Sequence, residues 1–352
     1  MTKKIPIIFH NQRDTNSDLD IHMRSRVWDA LDPKDGRELF MMRAKKELEL
    51  GGGPKHILYQ EAILNNFEKL RTYRDEWDEQ AFYDNDDSIK VAHKGDVFYR
   101  DRGSKKTIVA FSSRGQWGKN LMMPTDDRWN HPEYDWIGKK NQGYDDYNFI
   151  SLQEDITRAY TNPTSEPSAL LRGINDELDS PQKVAEYVQS IFPGTELHFI
   201  SDCKSTIATA YVAHLANARS LFLIAPIITL DKNRFIAGIN DEGMPHWDIH
   251  DMASINFIFY IRSMMYTDVI IPQSLNDVIK IAHVSPQMQT QIYYHENDGI
   301  MRTSIDLLTQ TTLPDNLNVT YIEDTKYCSG NHHIINEVRK SRYYNKFLDN
   351  MS

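Results

Sequence analysis

The stretch LHFISDCKSTIATAYVAHL, residues 197–215, decides the fold because its residue pattern changes in the middle. It begins with the apolar run 197–200, whose residues favour a β-strand. It ends with an alanine-rich apolar pattern, from residue 205 to about 217, that predicts a helix. Between the two lies the pentapeptide SDCKS, residues 201–205. The sequence therefore predicts a strand, a short turn and a helix in direct succession.

Cys203 occupies the middle of that pentapeptide, with Ser201 two residues before it and Ser205 two residues after it. A nucleophile on a sharp strand-to-helix turn has a strained backbone, and the side chains two positions away must be small to avoid a collision across the turn. The N-terminus of the following helix favours a thiolate and a developing oxyanion. The spacing therefore indicates a nucleophile at Cys203. The alternative is a plain strand–turn–helix with a buried cysteine, since free cysteine is often buried.

This stretch resembles the nucleophile elbow of the α/β-hydrolase superfamily, usually written G-x-S-x-G. Ser201 and Ser205 stand where glycine is usual, and Cys203 stands where serine is usual, as in dienelactone-hydrolase-like members. The resemblance covers about residues 88–345 and is one of arrangement and loop positions. A fainter resemblance, in the FSSRG loop at 111–115 and in the elbow, is to α/β-hydrolase-like proteins of bacterial capsule and surface-polysaccharide biosynthesis.

Composition and charge limit the classes of function. The 352 residues are 40% hydrophobic and 26% charged, which is typical of a globular protein with one large α/β domain or two domains. No apolar run approaches the ~20 residues of a membrane span, and the N-terminal apolar run is too short for a secretory signal. The two cysteines, Cys203 and Cys328, favour reduced thiols and a cytoplasmic location. A net charge of −10 argues against nucleic acid as a partner.

The first 87 residues carry a different pattern from the rest of the chain. Apolar residues recur at helical spacing over about 17–50 and 57–80, and a glycine-rich break at 51–54 separates the two stretches. This predicts an N-terminal helical region, residues 1–87, without a motif that carries chemistry. Its expected role is packing or oligomerisation, which would make the protein a homo-oligomer through these helices.

From residue 88 onward the pattern favours strands. Short alternating runs predict a hairpin over 89–100, and an apolar run predicts a buried strand over 106–111. A helix that starts at the Ser180–Pro181 pair precedes the elbow strand, and this βαβ order predicts a parallel sheet. We therefore expect an α/β-hydrolase-like domain over 88–352, with a mostly parallel sheet flanked by helices and a cap insertion at about 227–287.

The resemblance implies an acid and a base on the loops after two later strands. The predicted strand 289–294 precedes Asp298, which is the expected orienting acid, with Glu296 as the second choice. The last predicted strand precedes the pair His332 and His333, and the sequence does not choose between them for the base. The chain order of nucleophile, acid and base is that of the superfamily.

The resemblance also implies an oxyanion hole, formed by the backbone N–H of Lys204 and that of Ser113 or Arg114. The Arg114 side chain is alternatively a ligand for an anionic group on the substrate, or simply a surface residue. Aromatic residues follow this loop, and Trp117 and Trp136 are the candidate substrate-binding residues because aromatic platforms line many carbohydrate pockets. The alternative is that these rings only pack a long loop.

Together these residues predict an acyl-transfer enzyme, an esterase, thioesterase or O-acyltransferase, that works through a Cys-His-Asp triad and an acyl-enzyme. The expected substrate is a small-molecule or saccharide acyl compound, and the fainter resemblance favours a surface polysaccharide or glycolipid. No cofactor or metal is expected, since no second cluster completes the histidines and aspartates of 246–251. The alternatives are a non-catalytic scaffold in polysaccharide biosynthesis or a secretion assembly, and a different kind of transferase with Cys203 buried.

Overall fold

A computed structural model describes residues 5–6, 27–28, 89–93, 96–111, 135–138, 142–153, 173–229, 273–275, 277–298, 301–325 and 334–351. Before residue 89 these residues form one short antiparallel ladder, in which Ile5–Pro6 pairs with Val27–Trp28. The helical prediction is wrong at Val27–Trp28, where a β-branched and an aromatic residue favour an extended backbone. The rest of the predicted helical region 1–87 lies outside the described residues.

The core of the molecule is an eight-stranded sheet. Its strands are β1 (Ile89–Ala92), β2 (Val97–Arg100), β3 (Lys106–Phe111), β4 (Asn148–Leu152), β5 (Glu196–Asp202), β6 (Ser220–Ile224), β7 (Gln289–His295) and β8 (Leu317–Ile322). Their order across the sheet is β1-β2-β4-β3-β5-β6-β7-β8. Strand β2 pairs antiparallel with both of its neighbours, and every other pairing is parallel. The prediction of a mostly parallel, α/β-hydrolase-like sheet is confirmed.

The central strands read as continuous apolar runs because both faces of the sheet are covered. Strand β6 has the sequence SLFLI, and all five of its residues are buried. Strands β3 and β4 are buried from Thr107 to Phe111 and throughout Asn148–Leu152, respectively. These runs explain why the sequence marks the strands so clearly, although it does not show their order across the sheet.

Helices cover the two faces. They are α1 (Asp135–Gly138), α2 (Pro181–Ile191), α3 (Thr206–Leu215), α4 (Val278–Val284), α5 (Arg302–Thr309), α6 (Ile335–Ser341) and α7 (Tyr343–Asp349). The larger core cluster lies between one face and helices α2 to α5, and the smaller cluster, on the other face, contains residues of α1, α6 and α7. Ser180 caps α2 by accepting a hydrogen bond from the Lys183 N–H, as the Ser180–Pro181 start signal predicted.

Helix α4 moves the C-terminal boundary of the predicted cap insertion, 227–287, to an earlier residue. Its residues Val278, Ile281 and Ala282 are fully buried in the larger core cluster, at the spacing of a helix face that packs on a sheet. The final residues of the predicted insertion therefore belong to the layer that flanks the sheet. Residues 230–272 of the insertion lie outside the described part of the chain.

Candidate active site

The turn after β5 holds Cys203 in the left-handed backbone region. Its φ is +46°, although the residue is not glycine. That conformation costs a non-glycine residue about 1–2 kcal/mol and persists only where the surrounding structure enforces it. Cys203 opens a 3₁₀ turn, Cys203–Ser205, that leads directly into α3, and its side chain is half-buried. The strained turn predicted from the sequence is present at this residue.

The two small residues that flank Cys203 lie in the interior. Ser201 is 0% exposed and Ser205 is 2% exposed. In the sheet register, Ser201 lies between Phe111 of β3 and Leu223 of β6, so a larger side chain at this position would displace core residues. The Ser205 hydroxyl donates a 2.8 Å hydrogen bond to the Asp202 carbonyl oxygen across the turn. Small side chains at these positions are therefore a packing requirement.

Hydrogen bonds from α3 and from the chain after β6 secure the strained residue. The Cys203 carbonyl oxygen lies 2.7 Å from Thr206 Oγ1 and accepts a 3.5 Å hydrogen bond from the Ile227 N–H. Thr206 Oγ1 also lies 3.0 Å from the Ile227 carbonyl oxygen. The segment after β6 includes Ala225, which is itself left-handed with a φ of +45°. Two strained residues thus lie at the carboxyl ends of adjacent strands.

The strain at Cys203 is measurable without any substrate. Cys203→Gly and Cys203→Ala both remove the thiol, but only glycine adopts a positive φ without steric cost. We expect Cys203→Gly to be more stable than Cys203→Ala by about 1 kcal/mol, measured by urea unfolding. An equal or lower stability of the glycine variant would show that the turn is unstrained. Matched substitutions at the exposed residue Glu186, in the middle of α2, supply a control with the reverse order, since glycine is less stable than alanine in a helix interior.

Asp298 follows β7 and is buried, with 2% of its surface exposed. Its Oδ1 accepts a 3.1 Å hydrogen bond from the Met301 N–H, just before α5, and its own N–H donates to the His295 carbonyl oxygen at 3.1 Å. Because β5 and β7 are parallel and only β6 separates them, Asp298 and Cys203 lie beyond the same edge of the sheet. The structure therefore brings the predicted acid and the predicted nucleophile to one edge.

Tyr294 links the surroundings of Asp298 to the elbow. Its hydroxyl donates a 2.6 Å hydrogen bond to the carbonyl oxygen of Pro226, whose neighbour Ile227 contacts the Cys203 carbonyl. Burial raises the pKa of the Tyr294 hydroxyl well above its ordinary value, and the Asp298 carboxylate raises this pKa further. Tyr294 thus remains a neutral donor that holds the segment after β6 against β7.

The remaining predicted site residues are described only in part. The candidate bases and the second oxyanion donors, His332, His333, Ser113 and Arg114, lie outside the described residues, as does Trp117. The Lys204 backbone belongs to the turn Cys203–Ser205, so its N–H follows the nucleophile directly. That is the position from which the resemblance predicts one oxyanion donor.

Trp136 lies in α1, away from the elbow. The carbonyl oxygen of Gly138, in the same helix, accepts a 2.7 Å hydrogen bond from the Arg102 guanidinium. A Cβ on Gly138 would lie 2.9 Å from the ring of Phe149, the second residue of β4. Helix α1 therefore packs near the amino ends of the parallel strands, whereas Cys203 lies beyond their carboxyl ends. Trp136 as a substrate-binding residue stays a prediction.

Two tyrosines of the aromatic-rich segment that follows residue 115, Tyr144 and Tyr147, pack against the rest of the fold. The Tyr144 ring lies 5.9 Å from that of Tyr344 in α7, and the Tyr147 ring meets His198 edge-on at 5.9 Å. The carbonyl oxygens of both tyrosines accept hydrogen bonds from Arg102, at 2.8 and 3.1 Å. For these residues, the loop-packing alternative fits the observed contacts.

Sequence reasoning missed an imidazole–carboxylate pair at the same edge of the sheet. His295 is the last residue of β7 and is fully buried, and its Nε2 lies 3.0 Å from Oδ1 of Asp324. In the parallel register His295 pairs with Ile322, two residues before Asp324. The sequence shows a histidine at the end of one strand and an acid just after the next, but the pairing of β7 with β8 is what makes them a contact.

The described residues also bear on metal binding and on membrane insertion. Among them, no group of three or more histidine, cysteine, aspartate or glutamate side chains could hold a metal ion. The histidines and aspartates of 246–251 lie outside this part of the chain. In the described part of the chain, no helix has both the length and the apolar character that a membrane span requires.

The strand order and the elbow are the evidence for the type of fold. The chain has an α/β-hydrolase-like fold. No protein-family model matches it, and no curated protein matches its sequence.

Several solved structures are similar to it at low identity. A capsule O-acetyltransferase of Neisseria meningitidis serogroup A is 13% identical with a TM-score of 0.42, over 74% of this chain and 93% of that one. An α/β superfamily hydrolase from Oenococcus oeni PSU-1 is 13% identical with a TM-score of 0.42, over 75% and 98%. A Staphylococcus aureus protein of unknown function is 11% identical with a TM-score of 0.43, over 72% and 93%.

Proposed function

We propose that this protein is an acyl-transfer enzyme, an esterase, thioesterase or O-acyltransferase, with Cys203 as its nucleophile. The observation that carries the proposal is the left-handed backbone of Cys203, φ +46°, at the carboxyl end of β5. An ordinary strand–turn–helix with a buried cysteine does not require this strain, whereas a nucleophile presented on a sharp turn does. The buried serines on either side of Cys203 support the same interpretation.

The N-terminus of the helix that follows Cys203 is placed to stabilise negative charge at the turn. Helix α3 spans ten residues, and its N-terminus lies three residues after Cys203. Ser205, which precedes α3, makes no side-chain cap and instead bonds across the turn to Asp202, so its hydroxyl does not occupy the first N–H groups of the helix. Such N–H groups and the helix dipole stabilise a thiolate and an oxyanion.

In the proposed reaction, His332 or His333 takes the proton of the Cys203 thiol, and Asp298 fixes the orientation of that imidazole. The thiolate attacks the carbonyl carbon of an ester or thioester, and the Lys204 N–H, with that of Ser113 or Arg114, binds the oxyanion. Collapse of this intermediate expels an alcohol or thiol, which takes the proton from the imidazolium, and leaves an acyl-enzyme.

The second half of the reaction determines the type of enzyme. Water or a sugar hydroxyl gives its proton to the same imidazole and attacks the thioester of Cys203, which releases the acid or the acylated sugar and restores the thiol. Water as acceptor makes the protein an esterase or thioesterase, and a sugar hydroxyl makes it an O-acyltransferase. We extend the proposal to a surface polysaccharide or glycolipid acceptor on the resemblance of residues 111–115 and of the elbow. No step requires a cofactor.

Trapping the acyl-enzyme tests this proposal. The protein is incubated with p-nitrophenyl acetate or with an acetyl thioester, quenched in acid, and mapped by peptide mass spectrometry. We expect one acetyl group on Cys203, in the wild type and equally in a Cys328→Ala control. No acetyl group on Cys203 with either donor would contradict the proposal. That result would favour the alternative of a non-catalytic scaffold in polysaccharide biosynthesis or a secretion assembly.

A further inference from the structure

The ring of His295 connects the turn that carries Asp298 to the segment after β8. The Asn297 N–H donates a 3.1 Å hydrogen bond to His295 Nδ1. The proton of the neutral ring therefore lies on Nε2, which is 3.0 Å from Asp324 Oδ1. The His295 carbonyl oxygen accepts a hydrogen bond from the Asp298 N–H at 3.1 Å. His295 thus contacts two successive residues of the turn that carries the predicted acid, and also the segment after β8.

These contacts exclude His295 itself as the base of the reaction. Both of its ring nitrogens take part in hydrogen bonds, and the side chain has no exposed surface. A general base needs a free ring nitrogen that can reach the proton it abstracts, and His295 has none. The ring is therefore suited to holding backbone in place, in the way that an orienting group holds a catalytic side chain.

Two successive residues after β8, Asp324 and Thr325, are each held by a side-chain contact with another element. Asp324 contacts His295, and Thr325 Oγ1 donates a 2.7 Å hydrogen bond to Oε2 of Glu337 in α6. Glu337 is 5% exposed and also accepts a hydrogen bond from Ser341, one turn later in α6. These bonds connect the end of β8 to both the Asp298 turn and α6, which begins two residues after His333.

We propose that His295 and Asp324 are positioning residues for the acyl-transfer site, an inference that rests on the proposed function. Asp324 fixes the orientation of the His295 ring. That ring accepts the hydrogen bond of the Asn297 N–H and so fixes the turn that contains Asp298. Asp298, held in this way, orients the catalytic imidazole. Neither residue touches the substrate. Their effect on Cys203 passes through Asp298 and the base.

Substitutions at Asp324 test this inference because its side chain is 64% exposed and its loss leaves no cavity. Asp324→Ala removes the acceptor, and Asp324→Asn keeps an oxygen that accepts the same hydrogen bond. Glu323→Ala is the matched control, since it removes an exposed carboxylate from the adjacent position. The measurement is the pH midpoint of iodoacetamide alkylation at Cys203, located by mass spectrometry.

We expect Glu323→Ala and Asp324→Asn to keep the wild-type midpoint, below the ~8.5 of a free thiol. Asp324→Ala should raise it by about one pH unit, which means about tenfold less thiolate at neutral pH. An unchanged midpoint in Asp324→Ala, or an equal rise in Asp324→Asn, would overturn the positioning role while the proposed function stands. A wild-type midpoint near ~8.5 would overturn the proposed function, and this inference with it.

Discussion

Cys203→Ala is expected to lower the turnover of the ester or thioester that the wild type accepts by about 10⁵- to 10⁶-fold, because removing a nucleophile leaves only binding and the oxyanion donors. The measurement is kcat/KM with that donor for both proteins. The structural reason is that the strained turn presents this one side chain, in a half-buried position, at the carboxyl edge of the sheet. No neighbouring residue of the turn could replace it without rebuilding the elbow.

Two variants make that result specific. Cys328→Ala should retain the wild-type kcat/KM, because the Cys328 thiol takes no part in the proposed reaction. Cys203→Gly should be as inactive as Cys203→Ala while being the more stable of the two, which separates loss of chemistry from loss of fold. Activity of Cys203→Ala within tenfold of the wild type would contradict the assignment of Cys203 as the nucleophile.

Buried His198 is expected to make the protein less stable in acid. Its side chain is 1% exposed, and its Nδ1 lies 2.8 Å from Ser220 Oγ. Burial, together with the smaller effect of the Lys106 and Arg219 charges, lowers the pKa of His198 from 6.5 to about 4. The unfolded chain therefore binds a proton between pH 6.5 and 4 that the folded protein does not bind, so the stabilisation is complete above pH 6.5 and is lost as the pH falls.

The expected loss is about 3 kcal/mol by pH 4, at about 1.4 kcal/mol per pH unit. His198→Gln removes the titrating group and keeps an amide that can bond to Ser220, so its free energy of unfolding should fall less over this range. The measurement is urea unfolding of both proteins at pH 7.5 and pH 4.5. His283→Gln, at an exposed position in α4, is the control and should follow the wild type. Parallel pH profiles for the wild type and His198→Gln would contradict this prediction.

The sequence predicted those parts of the fold that depend on local patterns. The pentapeptide 201–205 predicted a turn that the structure shows as strained, since a strand signal and a helix signal meet there without a spacer. The buried strands were evident because strands covered on both faces read as unbroken apolar runs. Asp298 lies just after β7, where the strand signal of 289–294 placed it, and its role as the acid stays a prediction.

Features that depend on pairing between distant strands could not be read from the sequence. The contact between His295 and Asp324 exists because the parallel register of β7 and β8 aligns His295 with Ile322, and that register is not a local property. The placement of α1 near the amino ends of the strands depends on Arg102 and on the close approach of Gly138 to Phe149. Nothing in the residues around Trp136 indicates that approach.

The pH dependence of iodoacetamide alkylation at Cys203 tests the central claim most directly. It is measured by mass spectrometry on the wild type, His332→Ala and His333→Ala. The account predicts a wild-type midpoint well below the ~8.5 of a free thiol, and an upward shift in one histidine variant, which would identify the base. A thiol that does not react, or one with an ordinary midpoint in all three proteins, would contradict the claim that Cys203 is an activated nucleophile.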